Sequence, residues 1–195
     1  MENQFEKILD KDEKIIKVFK PIKSKLYFAT LVNVFLFSLF IAIPVAIVLL
    51  VEFSFNPTSP LPEYLQIIIF IAVGIILYFI AIAILYFLTW IFAKAYYNNL
   101  IFAYSNKRII IRTGILGIDY KSLDMKMIGA INVYVSPIDK IHKKNTGTIT
   151  FGSTASPISP EKGLAPYRFS HVHDPYNLYR EVKSVIDEYK EKNLK

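Results

Sequence analysis

The stretch YSNKRIIIRTGILGIDYKSL, Tyr104 to Leu123, decides how the chain is read. Ser105–Asn106 is a turn pair, since short polar side chains hydrogen-bond the local backbone. The isoleucines that follow suit an extended strand, where branched side chains pack well. Leu100 to Tyr104 is therefore expected as one strand and Arg108 to Thr113 as a second. Gly114 to Gly117 reads as a turn region and Ile118 to Leu123 as a third strand. In an extended segment Arg108 and Arg112 share a face with Ile110. Whether Lys107, Arg108 and Arg112 bind a ligand or merely line a solvated strand end is open at this level.

Upstream the composition changes sharply. No Lys or Arg lies between Lys25 and Lys94, and the only acids there are Glu52 and Glu63. Leu26 to Val51 and Leu65 to Ala93 are uncharged runs, each longer than the roughly 20 residues that cross a ~30 Å hydrocarbon core. Neither has a polar stripe, as a soluble hairpin would, and a signal peptide fits poorly because the charged leader is too long and no A-x-A site follows. The expectation is two transmembrane helices, 26–51 and 65–93, joined by an external loop over 52–64. Ser38, Ala42 and Ala46 form a small-residue stripe for close helix packing, with Gly74 and Ala81 as the facing positions. Pro44 is expected to bend the first helix.

Seven lysines precede the first run (Lys7, Lys11, Lys14, Lys17, Lys20, Lys23 and Lys25) and Lys94 opens the exit from the second, whereas the connecting loop has no basic residue. By the positive-inside rule both termini are cytoplasmic. Residues 1–25 read as a charged cytoplasmic leader, in which Ile15, Ile16, Val18 and Phe19 suggest a short strand or a helix turn. The formal charge is +7 and there are no cysteines, which excludes disulfides, thiolate metal sites and Cys nucleophiles.

Beyond the opening hairpin, Ala130 to Ser136 alternates as a half-buried strand. PIDKIH (137–142) is a turn or short helical piece, NTGTITF a further strand, STASPISPEKGLAP (153–166) a loop, and Tyr167 to Val172 a last strand. Asp174–Pro175 starts a helix over 174–192, with Asp as N-cap and Pro at the first position. Residues 94–195 are thus expected as a β domain closed by one amphipathic helix.

The hairpin Y-S-N-K-R-I-I-I-R-T-G-I-L-G, the strand-leading M-x-M-I-G-A-I-N-V-Y-V-S, G-T-I-T-F and F-x-x-V-x-D-P together resemble the bacterial pleckstrin-homology-like (PH-like) domain of small membrane proteins of the YdbS/YdbT type. The leader D-K-D-E-K-I-I is similar to the segment such proteins carry before their first span. The resemblance implies a bent antiparallel sheet of about seven strands capped by a C-terminal helix, on the cytoplasmic face. It implies no enzymatic activity and no cofactor.

Phosphoinositide-binding hairpins carry Lys, a gap, then Lys/Arg-x-Arg, and Lys107, Arg108 and Arg112 do not match that spacing. Lys107, Arg108, Arg112, Lys140, Lys143, Lys144 and Lys162 remain candidates for contact with anionic lipid or a partner, each worth on the order of 1 kcal/mol near a charged bilayer. His171 and His173 would project to one side of a strand and form a weak metal candidate. No nucleophile elbow, zincin or P-loop motif is present, and a nucleic-acid partner is not expected. Two functional readings follow. One is a membrane-anchored binding or scaffold module, engaging a protein partner, a homo-oligomer or lipid headgroups. The alternative is a homo-oligomeric channel or transporter component with the soluble domain as assembly ring.

Overall fold

A computed structural model describes residues 2–55, 62–141, 145–154 and 166–193. The chain divides into two compact units, Met1–Leu26 with Lys94–Lys195, and Tyr27–Ala93. Ile15–Phe19 (β1) leads to two long helices, Lys23–Phe55 (α1) and Glu63–Asn99 (α2). Then come Ile101–Ser105 (β2), Arg108–Thr113 (β3), Asp119–Asp124 (β4), Ile128–Tyr134 (β5), Pro137–Ile141 (α3), Thr146–Ser153 (β6), Tyr167–His173 (β7) and Pro175–Asn193 (α4).

The strands form two antiparallel sheets rather than one bent sheet, in the orders β1-β2-β3-β4 and β5-β6-β7. Seven strands are reached only because the leader supplies one: Val18 pairs with Ala103 and Phe19 with Phe102. The two long helices are thus an insertion in the connection between two paired strands. The short 3-10 turn Met125–Met127 separates β4 from β5 and breaks the sheet there.

The central strands β2 and β3 of the four-stranded sheet are covered on both faces, which explains the continuous isoleucine run. A strand buried on one face alternates; one buried on both does not. On the inner face Phe102 meets Phe19 and Phe169, and Phe169 meets Phe151, with ring centroids 4.9–5.7 Å apart. These edge and tilted contacts join the two sheets. The amphipathic α4 adds Leu178, Val182 and Ile186, all buried. Its orientation is fixed by Glu181, which accepts hydrogen bonds from Lys17 on β1 and Tyr104 on β2.

On the outer face Ile101, Ala103 and Ile110 cluster with Phe5, which is fully buried, and with Ile8, Leu9, Ile15 and Val18 beside it. Residues 2–13 therefore lie across the outer face as a strap.

The turn between β3 and β4 depends on one glycine. Gly114 has φ +143°, and a Cβ there would sit 1.9 Å from the Gly117 carbonyl oxygen. Gly114→Ala is expected to destabilise the domain by more than about 1 kcal/mol, with faster amide exchange confined to residues 113–119 in a hydrogen-exchange measurement.

In the second unit both helices run past the expected limits, and α1 continues helical through Pro44. The described stretches Lys23–Ile41 and Tyr64–Asn99 are long and apolar enough to cross a membrane. Ser38 is buried and its hydroxyl donates to the Phe35 carbonyl at 2.7 Å. Gly74 is half-buried, whereas Ala81, expected as a facing small residue, is exposed. The side chains of Ala42 and Ala46 fall outside the described residues, as do residues 56–61 of the 52–64 loop, whose two ends belong to α1 and α2.

Candidate functional site

The two ends of the opening hairpin differ in chemistry. Strand β2 enters the sheet directly from α2, and β1 leaves the same end toward α1. Here Lys20 donates to the Asn98 carbonyl, and the ammonium groups of Lys20 and Lys23 lie 5.5 and 6.0 Å from the centre of the Tyr97 ring. The Asn99 side-chain amide donates to the Gly114 carbonyl at 3.2 Å, which ties the β3–β4 turn to the last residue of α2. A cleft of about 230 Å³ opens between β3, β4 and β7, lined in part by Tyr96, Thr113, Lys121, Arg168 and Ser170. Two cations, two hydroxyl-bearing side chains and a phenol around one opening make a donor set suited to an anionic oxygen ligand.

Lys107 and Arg108 lie at the opposite end. Arg108 and Thr113 are the two ends of the six-residue β3, about 17 Å apart at the rise of an antiparallel strand. Arg108 is engaged internally. Its Nε and Nη2 donate to the Glu13 carboxylate at 3.0 and 2.7 Å, and Nη2 also donates to the Ile8 carbonyl at 2.7 Å. Glu13 has a fully buried side chain and further accepts from Ser105 Oγ at 2.6 Å and from the Asp10 backbone N–H. Burial opposes ionisation of Glu13, but the donors Arg108, Ser105 and Asp10 outweigh it and hold its pKa below the ordinary value. Arg112, also buried, donates to the Gln4 side chain at 2.6 Å, and the Tyr120 hydroxyl donates to the Gln4 carbonyl. Arg108, Ile110 and Arg112 do share a face, as the alternation predicts, and that face holds the strap.

The remaining candidates are dispersed. Lys107 is half-buried at the β2–β3 turn and Lys140 is exposed on α3. Lys143, Lys144, Lys162 and most of the 153–166 loop lie outside the described residues. His171 and His173 have different surroundings. His173 is exposed and borders a cleft with Lys17, Lys20 and Glu181. His171 has a left-handed backbone (φ +54°), its carbonyl accepts from Ile22, and its buried Nδ1 finds no partner among the described residues. Burial lowers its pKa, against the pull of Asp139. Among the described residues, no group of three or more His, Asp or Glu is placed to hold a metal ion.

A second buried charge pair escapes sequence reasoning. Lys25, at the start of α1, lies 3.0 Å from Asp139 on α3, their side chains 1% and 4% exposed. The contact is an ion pair rather than an aligned hydrogen bond, since Lys25 Nζ satisfies no hydrogen-bond geometry. Asp139 also accepts from the Ser136 N–H and hydroxyl and from Thr146 Oγ1. Burial raises its pKa, but these donors and Lys25 bring it below the ordinary carboxylate value.

Two packed antiparallel sheets with an amphipathic C-terminal helix against the second define a PH-like domain, here with two long apolar helices between its first and second strands. The bacterial PH domain family matches residues 27–185, and the chain belongs to that family. A comparison with curated proteins gives no match. The family match begins inside α1, so the structural domain starts earlier than the matched region: β1 and the strap precede it.

Proposed function

We propose that the chain is a membrane-anchored binding module, fixed by α1 and α2, whose PH-like domain faces the cytoplasm and engages anionic lipid headgroups or a protein partner there. Membership of the bacterial PH domain family suggests a binding or scaffold role. The observation that carries the finer reading is the chemistry at the helix-bearing end of the four-stranded sheet, where Lys20, Lys23 and Tyr97 meet and the cleft with Lys121 and Arg168 opens. Cations and aromatic rings at the exit of an apolar helix are what a headgroup layer favours. Lys107 and Arg108, the first candidates from sequence, are poorer ones: the former sits at the far end and the latter is engaged by Glu13.

Anchoring is tested by alkaline carbonate extraction followed by protease treatment. The full chain should stay in the membrane pellet, and residues 166–193 should be cut in inside-out vesicles but not in right-side-out ones. Release by carbonate would sink the anchoring, and cleavage in right-side-out vesicles the orientation.

A further inference from the structure

We propose that the β3–β4 turn, Ile115-Leu116-Gly117-Ile118, is a membrane-inserting element that dips into the headgroup–acyl boundary beside the end of α2. Leu116 is 95% exposed, with Ile115 at 45% and Ile118 at 55%. Elsewhere on the described surface of this unit, large exposed apolar side chains such as Ile16, Met127 and Tyr176 stand singly. Three within four residues make a patch, and patches of that kind mark an interaction surface.

The occupant follows from the tether. Asn99 Nδ2 holds the Gly114 carbonyl, so the root of the turn is fixed to the last residue of α2. The uncharged run of that helix ends at Ala93. Asn99 lies five residues beyond Lys94, about 7.5 Å at the helical rise. The headgroup layer is about 5–8 Å deep on each side of the hydrocarbon. From Gly114, two residues of chain reach at most about 7 Å, a span that matches the distance to the hydrocarbon boundary. Gly114 cannot take a side chain without collision with Gly117, so the turn keeps a tight, projecting shape. Lys121 and Arg168 border the adjoining cleft, and apolar residues flanked by cations are the composition that binds an anionic interface.

This inference rests on the anchoring proposed above, and the test separates the two. Because the chain has no cysteine, single substitutions give unique labelling sites in the full-length protein. Leu116→Cys, Lys126→Cys at the opposite end of the hairpin and Ile75→Cys within α2 would each carry an environment-sensitive fluorophore in phosphatidylglycerol-containing vesicles. The label at 116 should shift to the blue and lose emission to lipids bearing a nitroxide near the headgroup. The label at 126 should respond to aqueous iodide only, and that at 75 to deep nitroxides. If 75 is quenched from the lipid while 116 is as open to iodide as 126, the insertion is wrong and anchoring stands. If 75 is not quenched from the lipid, both fail. Shielding of 116 from both quenchers would mean a protein surface covers it, which also overturns the proposal. As a second variant, Leu116→Asp should abolish lipid quenching of a label at Ile118→Cys; unchanged quenching there would contradict insertion.

Discussion

Glu13→Ala should detach the N-terminal strap and cost about 3–5 kcal/mol, the range for breaking a buried ion pair from one side. The loss comes less from the Glu13–Arg108 attraction than from what remains: an arginine 19% exposed on the outer sheet face, whose remaining carboxylate neighbour is the exposed Asp10 at 4.0 Å. Ser105 loses its acceptor as well. Hydrogen exchange should accelerate across residues 2–14 and along the outer-face strands, because Phe5 is held over Ile101, Ala103 and Ile110 by the same strap. The double variant Glu13→Ala/Arg108→Ala should be less destabilised than the sum of the single ones, since no uncompensated charge is left. The pair also sets an acid limit. The folded-state pKa of Glu13 lies below the ordinary value. Its stabilisation is therefore present above about pH 4 and lost as pH falls through the depressed value. Thermal unfolding at stepped pH should show this loss in the parent and not in the double variant.

Asp139→Ala should produce the second large effect, again about 3–5 kcal/mol. It strips the buried Lys25 ammonium of its counter-ion and leaves the Ser136 and Thr146 hydroxyls without their acceptor. Lys25→Met should be milder, because Asp139 keeps three donors from Ser136 and Thr146. Exchange should speed up in the first turn of α1 and in α3, which this pair pins together. His171 adds a pH dependence in the same region. Its folded pKa is lowered by burial, so stability is present above its unfolded value of about 6.5 and falls as pH drops through the depressed value. His171→Asn should flatten that part of the profile. An equal effect of Asp139→Ala and Lys25→Met on melting temperature would show that the hydrogen bonds from Ser136 and Thr146 contribute nothing.

Much of the architecture was legible in the chain. The uncharged runs mark α1 and α2 because a continuous apolar stretch cannot be mistaken for alternation. Asp174–Pro175 marks the start of α4, and the residue order of the hairpin marks the β2–β3 pair. What stayed hidden is long-range. Strand β1 pairs with β2 across residues 20–100, and no local pattern announces a partner so distant. Glu13 sits in a dense charge cluster, DKDEK, where a solvated role is the ordinary reading, yet its carboxylate is buried. Phe5, a lone aromatic in a charged segment, carries no periodicity. The same blindness affects the candidate site. Lys107 and Arg108 stood out because they are adjacent, but topology places them about 17–20 Å along β3 from the end where the helices join. Lys121 and Arg168, 47 positions apart in sequence, border a single cleft only once β4 and β7 have packed.

The central claim, that the helix-bearing end of the PH-like domain recognises anionic headgroups, is met most directly by analysing the lipid retained on the purified full-length protein by native mass spectrometry. Lys121→Ala/Arg168→Ala should lose most of the bound phosphatidylglycerol carried by the parent, while Lys107→Ala should keep it. Undiminished lipid on the double variant, or loss on Lys107→Ala alone, would contradict the account.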